Sequence, residues 1–132
     1  MDAVFFSLPL IIHALIGFYF AFFGFWNIYH WVPIVEVMAQ KRVPMPYLLL
    51  PIGITWQILA GILIIFGIGT KLAALSLVPF TLVAVFIFHP FWKYRGELCA
   101  LNFSIFVANC TIGLGALLSL VLPVSSFADL LS

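Results

Sequence analysis

The sequence predicts an all-α integral membrane protein, a four-helix bundle. Three observations predict it. The first is composition: 66% of the 132 residues are hydrophobic and 7% are charged, against about 25% charged in an ordinary soluble domain. A chain of this size has too much surface to hide so much apolar side chain from water. The second is charge placement. Asp2, Glu36, Lys41, Arg42, Lys71, Lys93, Arg95, Glu97 and Asp129 leave four charge-free windows, residues 3–35, 43–70, 72–92 and 98–128. The third is length. Each window holds at least 21 residues, and about 20 apolar residues of helix cross the hydrocarbon core. Backbone groups in lipid must pair within their own segment, so the spans are helices. Runs such as Ile62–Phe66 and Leu82–Phe88 lack the alternation of a β-barrel strand. A net charge of +1 offers no basic field to a nucleic acid, and two cysteines cannot staple a disulfide scaffold. The lipid bilayer is therefore the expected partner, and residues 1–132 read as one transmembrane domain.

Helix 1 is expected at about residues 5–28. His13, Gly17, Phe20, Gly24 and Asn27 recur at spacings of 4, 3, 4 and 3, which is one helical face. It joins two polar side chains to two glycines, and small residues admit close helix approach, so this face turns inward. The segment lacks a basic leader and its apolar run is too long for a signal peptide, so it reads as a retained span. Tyr29, His30 and Trp31 close it with rings suited to the headgroup layer.

The connection from Val32 to Pro46 comes next. Pro33 suits a first helical turn. Ile34, Val35, Val37 and Met38 interleave with Glu36, Gln40 and Lys41, predicting a short interfacial helix at about 33–41. Val43-Pro44-Met45-Pro46 cannot continue it, because each proline restricts itself and the residue before it. Helix 2 follows at about 47–68, with Gly53, Gln57, Ala60, Gly61 and Ile64 on one face. The short link Gly67–Lys71 makes helices 2 and 3 antiparallel neighbours.

Helix 3, at about 72–89, carries little that is polar beyond Thr81 and the terminal His89. Helix 4, at about 100–122, presents Asn102, Phe106, Asn109, Gly113 and Ala116 on one face. An even number of spans places both termini on one side. Loops 1–2 and 3–4 hold Lys41, Arg42, Lys93 and Arg95, and the opposite side holds Lys71. The positive-inside rule then puts those two loops in the cytoplasm and both termini outside.

Polar side chains in lipid need partners, so they are the informative residues. Pooling the inward faces predicts a buried set of His13, Asn27, Gln57, Thr81, Asn109 and Asn102. Two readings compete. In one, these groups are interhelical hydrogen bonds, worth about 0.6 kcal/mol each. In the other they line a pocket for an amphipathic ligand with carbonyls and an apolar tail, such as a quinone. His89 beside Pro90, Phe91 and Trp92 could exchange protons near neutral pH or cap helix 3. No metal site is expected. The histidines at 13, 30 and 89 make no i, i+4 pair and have no neighbouring carboxylate. Cys99 and Cys110 lie 11 residues apart, about 16 Å of helical rise and beyond disulfide reach. No Ser or Cys sits in a base-bearing motif.

The chain resembles the DoxX family of small four-helix bacterial membrane proteins from about Gly17 to Leu118. The resemblance is carried by Arg42-Val43-Pro44-Met45-Pro46, by Gln57-Ile58-Leu59-Ala60-Gly61-Ile62-Leu63 and by Phe66-Gly67-Ile68-Gly69-Thr70-Lys71-Leu72-Ala73-Ala74-Leu75. It continues through His89-Pro90-Phe91-Trp92, Phe106-Val107-Ala108-Asn109 and Gly113-Leu114-Gly115-Ala116-Leu117-Leu118. The resemblance implies a bacterial inner-membrane location. It also implies an accessory or quinone-associated role beside oxidoreductase subunits, since some relatives are linked to quinone-coupled thiosulfate oxidation. A bound quinone is then the candidate cofactor and a second copy a candidate partner. Gln57 and Asn109 would bond the headgroup, His89 and Trp92 would line its entrance, and His13 and Asn27 complete the candidate set. The chain departs from the family in three places. Gln57 stands where a Glu is frequent, Asn27 lies near a usual basic position, and Ala108 replaces a Lys. These departures remove ionisable groups from the membrane interior. The rival reading is a non-catalytic scaffold whose polar residues only hold helices together. A small transporter fits less well, since no acidic ring or broken-helix pair is visible.

Overall fold

The structure, a computed structural model, describes residues 2–122, with side chains from Leu8 onward. It is all-helical among those residues, with α1 at Asp2–Tyr29, α2 at Trp31–Gln40, α3 at Pro46–Ile65 and α4 at Thr70–Phe88. A 3₁₀ turn at Phe91–Lys93 leads to α5 at Gly96–Ala108, a π turn at Asn109–Gly113 and α6 at Leu114–Ser119. Four stretches are long and apolar enough to cross a membrane: Leu8–Tyr29, Pro46–Ile65, Thr70–Lys93 and Gly96–Ser119. The protein is an integral membrane four-helix bundle. Residues 123–132, and with them the expected position of the C-terminus, lie outside the described residues.

The ends of the helices have local causes. α3 stops at Ile65, three residues before the position expected from the apolar run, because Gly67 and Gly69 take left-handed φ values of 69° and 56°. Glycine adopts that region without a Cβ penalty. The last span starts at Gly96, earlier than the expected 100, where Gly96 turns the chain with φ 66°. Between α1 and α2 the helix breaks only at His30.

α2 is not merely laid on the bilayer. Its apolar side buries Val35 and Met38 against Leu50 and Ile54 of α3, with Val43, Ile58 and Phe88 packed around them. The larger core lies where the four spans meet: Phe20 from α1, Ala60 and Ile64 from α3, Ala73, Ala74 and Leu77 from α4, and Leu117 from α6. Lipid tails are as apolar as leucine, so helices in a bilayer associate through close packing and not through escape from water. The small residues supply that closeness. A Cβ built on Gly17 would stand 2.5 Å from the Gly61 carbonyl oxygen, and one on Gly61 would stand 2.7 Å from the Gly17 carbonyl oxygen. α1 and α3 therefore cross backbone to backbone.

The last span is held more loosely. α5 buries no residue, and α6 buries Leu117. Near the opposite end, Phe86, Phe91, Trp92, Phe103 and Phe106 join α4, the 3₁₀ turn and α5 through largely edge-to-face ring contacts at 5.0 to 5.9 Å, the arrangement that ring quadrupoles favour.

Candidate functional site

The glycine stripe of α1 brings Asn27 to Gln57. Asn27 Nδ2 donates to Gln57 Oε1 at 3.2 Å, and Gln57 is 6% exposed. A buried amide without a partner costs several times what a paired one contributes, so this bond holds the two helices in register. His89 finds a different partner. Asn102 Nδ2 donates to the Leu98 carbonyl at 2.8 Å, which turns Asn102 Oδ1 toward His89 Nδ1 at 3.0 Å. That acceptor requires the proton on Nδ1 and leaves Nε2 as the acceptor of the neutral ring. The bond ties the end of α4 to the last span.

The other candidates serve themselves. Asn109 Nδ2 donates to the Ile105 carbonyl one turn back, at 2.8 Å, and His13 Nδ1 lies 2.6 Å from the Pro9 carbonyl of its own helix. Trp92 packs with Phe86, Phe91 and Phe106 and stays half exposed. The structure thus joins Asn27 with Gln57 and places His89 and Trp92 at one end of the bundle. It does not gather Gln57, Asn109, His89, Trp92, His13 and Asn27 around a common cavity. Among the described residues the buried polar side chains are Gln57 and Thr81, and the Thr81 hydroxyl has no partner there. Asn109, Asn102 and His13 are only partly buried; an i−4 carbonyl engages each side chain, and Asn102 alone of the three also reaches another element, at His89.

Three arrangements escaped the reading of the sequence. One is a groove of about 730 Å³ between α3 and α4, lined by Pro51, Trp56, Leu59, Leu63, Leu72 and Ser76 among others. Across it Trp56 Nε1 donates to Ser76 Oγ at 2.9 Å, and Ser76 donates to the Ala73 carbonyl at 2.7 Å. A tryptophan in mid-span, whose N–H needs an acceptor, was the available signal. The third is Lys41, whose ammonium donates to the Ile87 carbonyl in the last turn of α4. Burial, and then the charge of Lys93, hold its ammonium below the ordinary lysine value. Among the described residues no three His, Cys, Asp or Glu side chains are grouped to hold a metal, and Cys99 and Cys110 are free thiols.

The sequence profile of DoxX matches residues 8–90. The chain belongs to the DoxX family. Among its relatives is Inner membrane protein YphA of Escherichia coli (strain K12), 32% identical over 103 residues, which cover 78% of this chain and 73% of that protein. No solved structure is significantly similar. The DoxX match takes in Asn27, Gln57, Lys41 and His89, and stops before Trp92, Asn102 and Asn109. The family profile thus covers α1 to α4, and the 103-residue match to YphA runs past residue 90 as well.

Proposed function

We propose that this DoxX-family protein is an accessory, non-catalytic subunit of a bacterial inner-membrane oxidoreductase system. One observation carries the reading: Gln57, the buried amide, is engaged by Asn27 across the α1–α3 crossing. The family resemblance implies a frequent Glu at the Gln57 position and a basic residue near Asn27, whereas here two neutral amides join the helices without ionising. Ionisable groups inside a membrane mark proton and ligand pathways, and this pair offers none. The inner-membrane name of YphA supports the location. The positive-inside rule supports a cytoplasmic side for the loops bearing Lys41, Arg42, Lys93 and Arg95.

A second reading is favoured by the groove between α3 and α4. It is apolar along its length and offers Trp56 and Ser76 as its polar pair. Those dimensions suit an isoprenoid tail with a small polar head, so a quinone-associated role has its site there and not at Gln57 and Asn109.

One preparation tests both. The protein is extracted in mild detergent, its co-purifying proteins are identified, and its quinone content is measured beside an unrelated membrane protein. The accessory role expects an oxidoreductase subunit in defined stoichiometry. Its absence after cross-linking in intact membranes refutes that role. Quinone above the control, lost in Trp56→Leu but kept in Gln57→Leu/Asn109→Leu, supports the groove. Quinone no higher than the control removes the second reading.

A further inference from the structure

Cations collect at one end of the bundle. The α2–α3 connection contributes Lys41 and Arg42, and the turn after α4 contributes Lys93 and Arg95. The hydrogen bond from the Lys41 ammonium to the Ile87 carbonyl pins Lys41 against the last turn of α4. Lys93 closes the 3₁₀ turn that comes after α4, at the boundary of the third span. Lys41 feels the Lys93 charge as repulsion, and no carboxylate is among the influences acting on it. Like charges brought to the same end of α4 repel one another, and a bound anion relieves that repulsion.

The loop is also held in an unusual shape. Arg42 and Met45 take left-handed φ values of 58° and 47°, although neither is glycine. Such residues are strained and persist where the surroundings fix them, frequently at ligand clamps. Here the fixing comes from Val43, which packs into the α2–α3 core, and from the backbone bond of Val43 N to the Met38 carbonyl at 3.0 Å. Lys41 spends one of its three N–H groups on Ile87, which leaves two for a ligand. Lys93 is exposed. Trp92, beside it, is half exposed with its ring against Phe91 and Phe106, the posture of a tryptophan at headgroup depth.

We propose that Lys41 and Lys93 form a binding site for the phosphate of an anionic phospholipid headgroup, with Arg42 and Arg95 adding to its field. Free phosphate has the same chemistry. The position at the end of a span, with Trp92 alongside and apolar helix below, selects the lipid-borne form. Lys41 also caps α4, so removing it perturbs the fold, and the exposed Lys93 carries the decisive variant.

The test measures lipid retained by the detergent-purified, delipidated protein in native mass spectrometry, after addition of phosphatidylglycerol or phosphatidylcholine in mixed micelles. Phosphatidylglycerol should bind in preference to phosphatidylcholine. Lys93→Gln should lower that preference about fivefold, and Lys41→Gln/Lys93→Gln further, with the helical circular dichroism of Lys93→Gln unchanged. Equal retention of the two lipids, or an unchanged preference in Lys93→Gln, overturns the proposal. Displacement of phosphatidylglycerol by equimolar sodium phosphate would show a site for the free ion and overturn the lipid assignment. Failure to displace supports it.

Discussion

Replacing Gly17 by alanine should loosen the whole α1–α3 interface. The new Cβ would lie 2.5 Å from the Gly61 carbonyl oxygen and 2.7 Å from the Ile65 backbone nitrogen. Neither can yield by a side-chain rotation. Restoring ordinary contact, which begins near 3.4 Å, requires the helices to part by about 0.9 Å at that point. The Asn27–Gln57 bond, already 3.2 Å long, would pass beyond hydrogen-bonding reach under the same movement. Overpacking costs about 1–3 kcal/mol, and an interhelical bond in lipid contributes about 0.6 kcal/mol. The expected loss is about 2–3 kcal/mol. Reversible unfolding in mixed micelles, titrated with dodecyl sulfate and followed by helical circular dichroism, reads it directly. Gly24→Ala meets Ile58 Cγ1, in a side chain that can turn aside, so its loss should be smaller. Gly115→Ala meets nothing within 4 Å and should be neutral or mildly stabilising. A Gly17→Ala protein within about 0.5 kcal/mol of the parent, the spread of an ordinary surface substitution, would refute the backbone-to-backbone crossing.

Other outcomes follow from the same geometry. Thr81→Val removes a buried hydroxyl that has no partner, so it should be neutral or stabilising in the same titration; a loss above about 1 kcal/mol would mean that the hydroxyl bonds something. A double-mutant cycle of Asn27→Leu and Gln57→Leu should show coupling of about 0.6 kcal/mol, and simple additivity would break the pair. Lys41 should titrate below 10.5 when followed by NMR of the dimethylated amine, and Lys93→Gln should move its midpoint upward, short of full recovery because burial is the larger cause. The folded state then holds that proton less well than the unfolded chain. Stability should rise with pH from the lowered midpoint toward 10.5 and level off above it.

The spans were legible because charge is confined to their ends, and lipid forbids it elsewhere. The inward stripe of α1 was legible for the same reason that it packs. Gly17, Phe20 and Gly24 are buried, as are Gln57, Ala60, Gly61 and Ile64 of α3. Partners were not legible. A sequence shows that Asn109 needs an acceptor, but a carbonyl one turn back serves as well as another helix, and the structure uses the carbonyl. His13 is satisfied in the same local way, which takes both out of any shared pocket. The Lys41 contact depends on how a loop folds back over the end of α4, and no periodicity encodes that. The expected stripe of Asn102, Phe106, Asn109, Gly113 and Ala116 is only partly buried, because α5 buries no residue and the last span reaches the shared core through Leu117 of α6.

The π turn at Asn109–Gly113 has a consequence for that last span. A helix that accommodates one surplus residue falls behind its regular rotation by roughly a quarter turn. In an unbroken α-helix Phe106 and Leu117 would stand in line, since 11 residues make about three turns. The lag swings them apart, so that Phe106 meets the ring cluster while Leu117 reaches the centre of the bundle. Rewinding those five residues as regular α-helix, with none removed, would bring the two back into line, and the rod could then satisfy one neighbour only by forsaking the other.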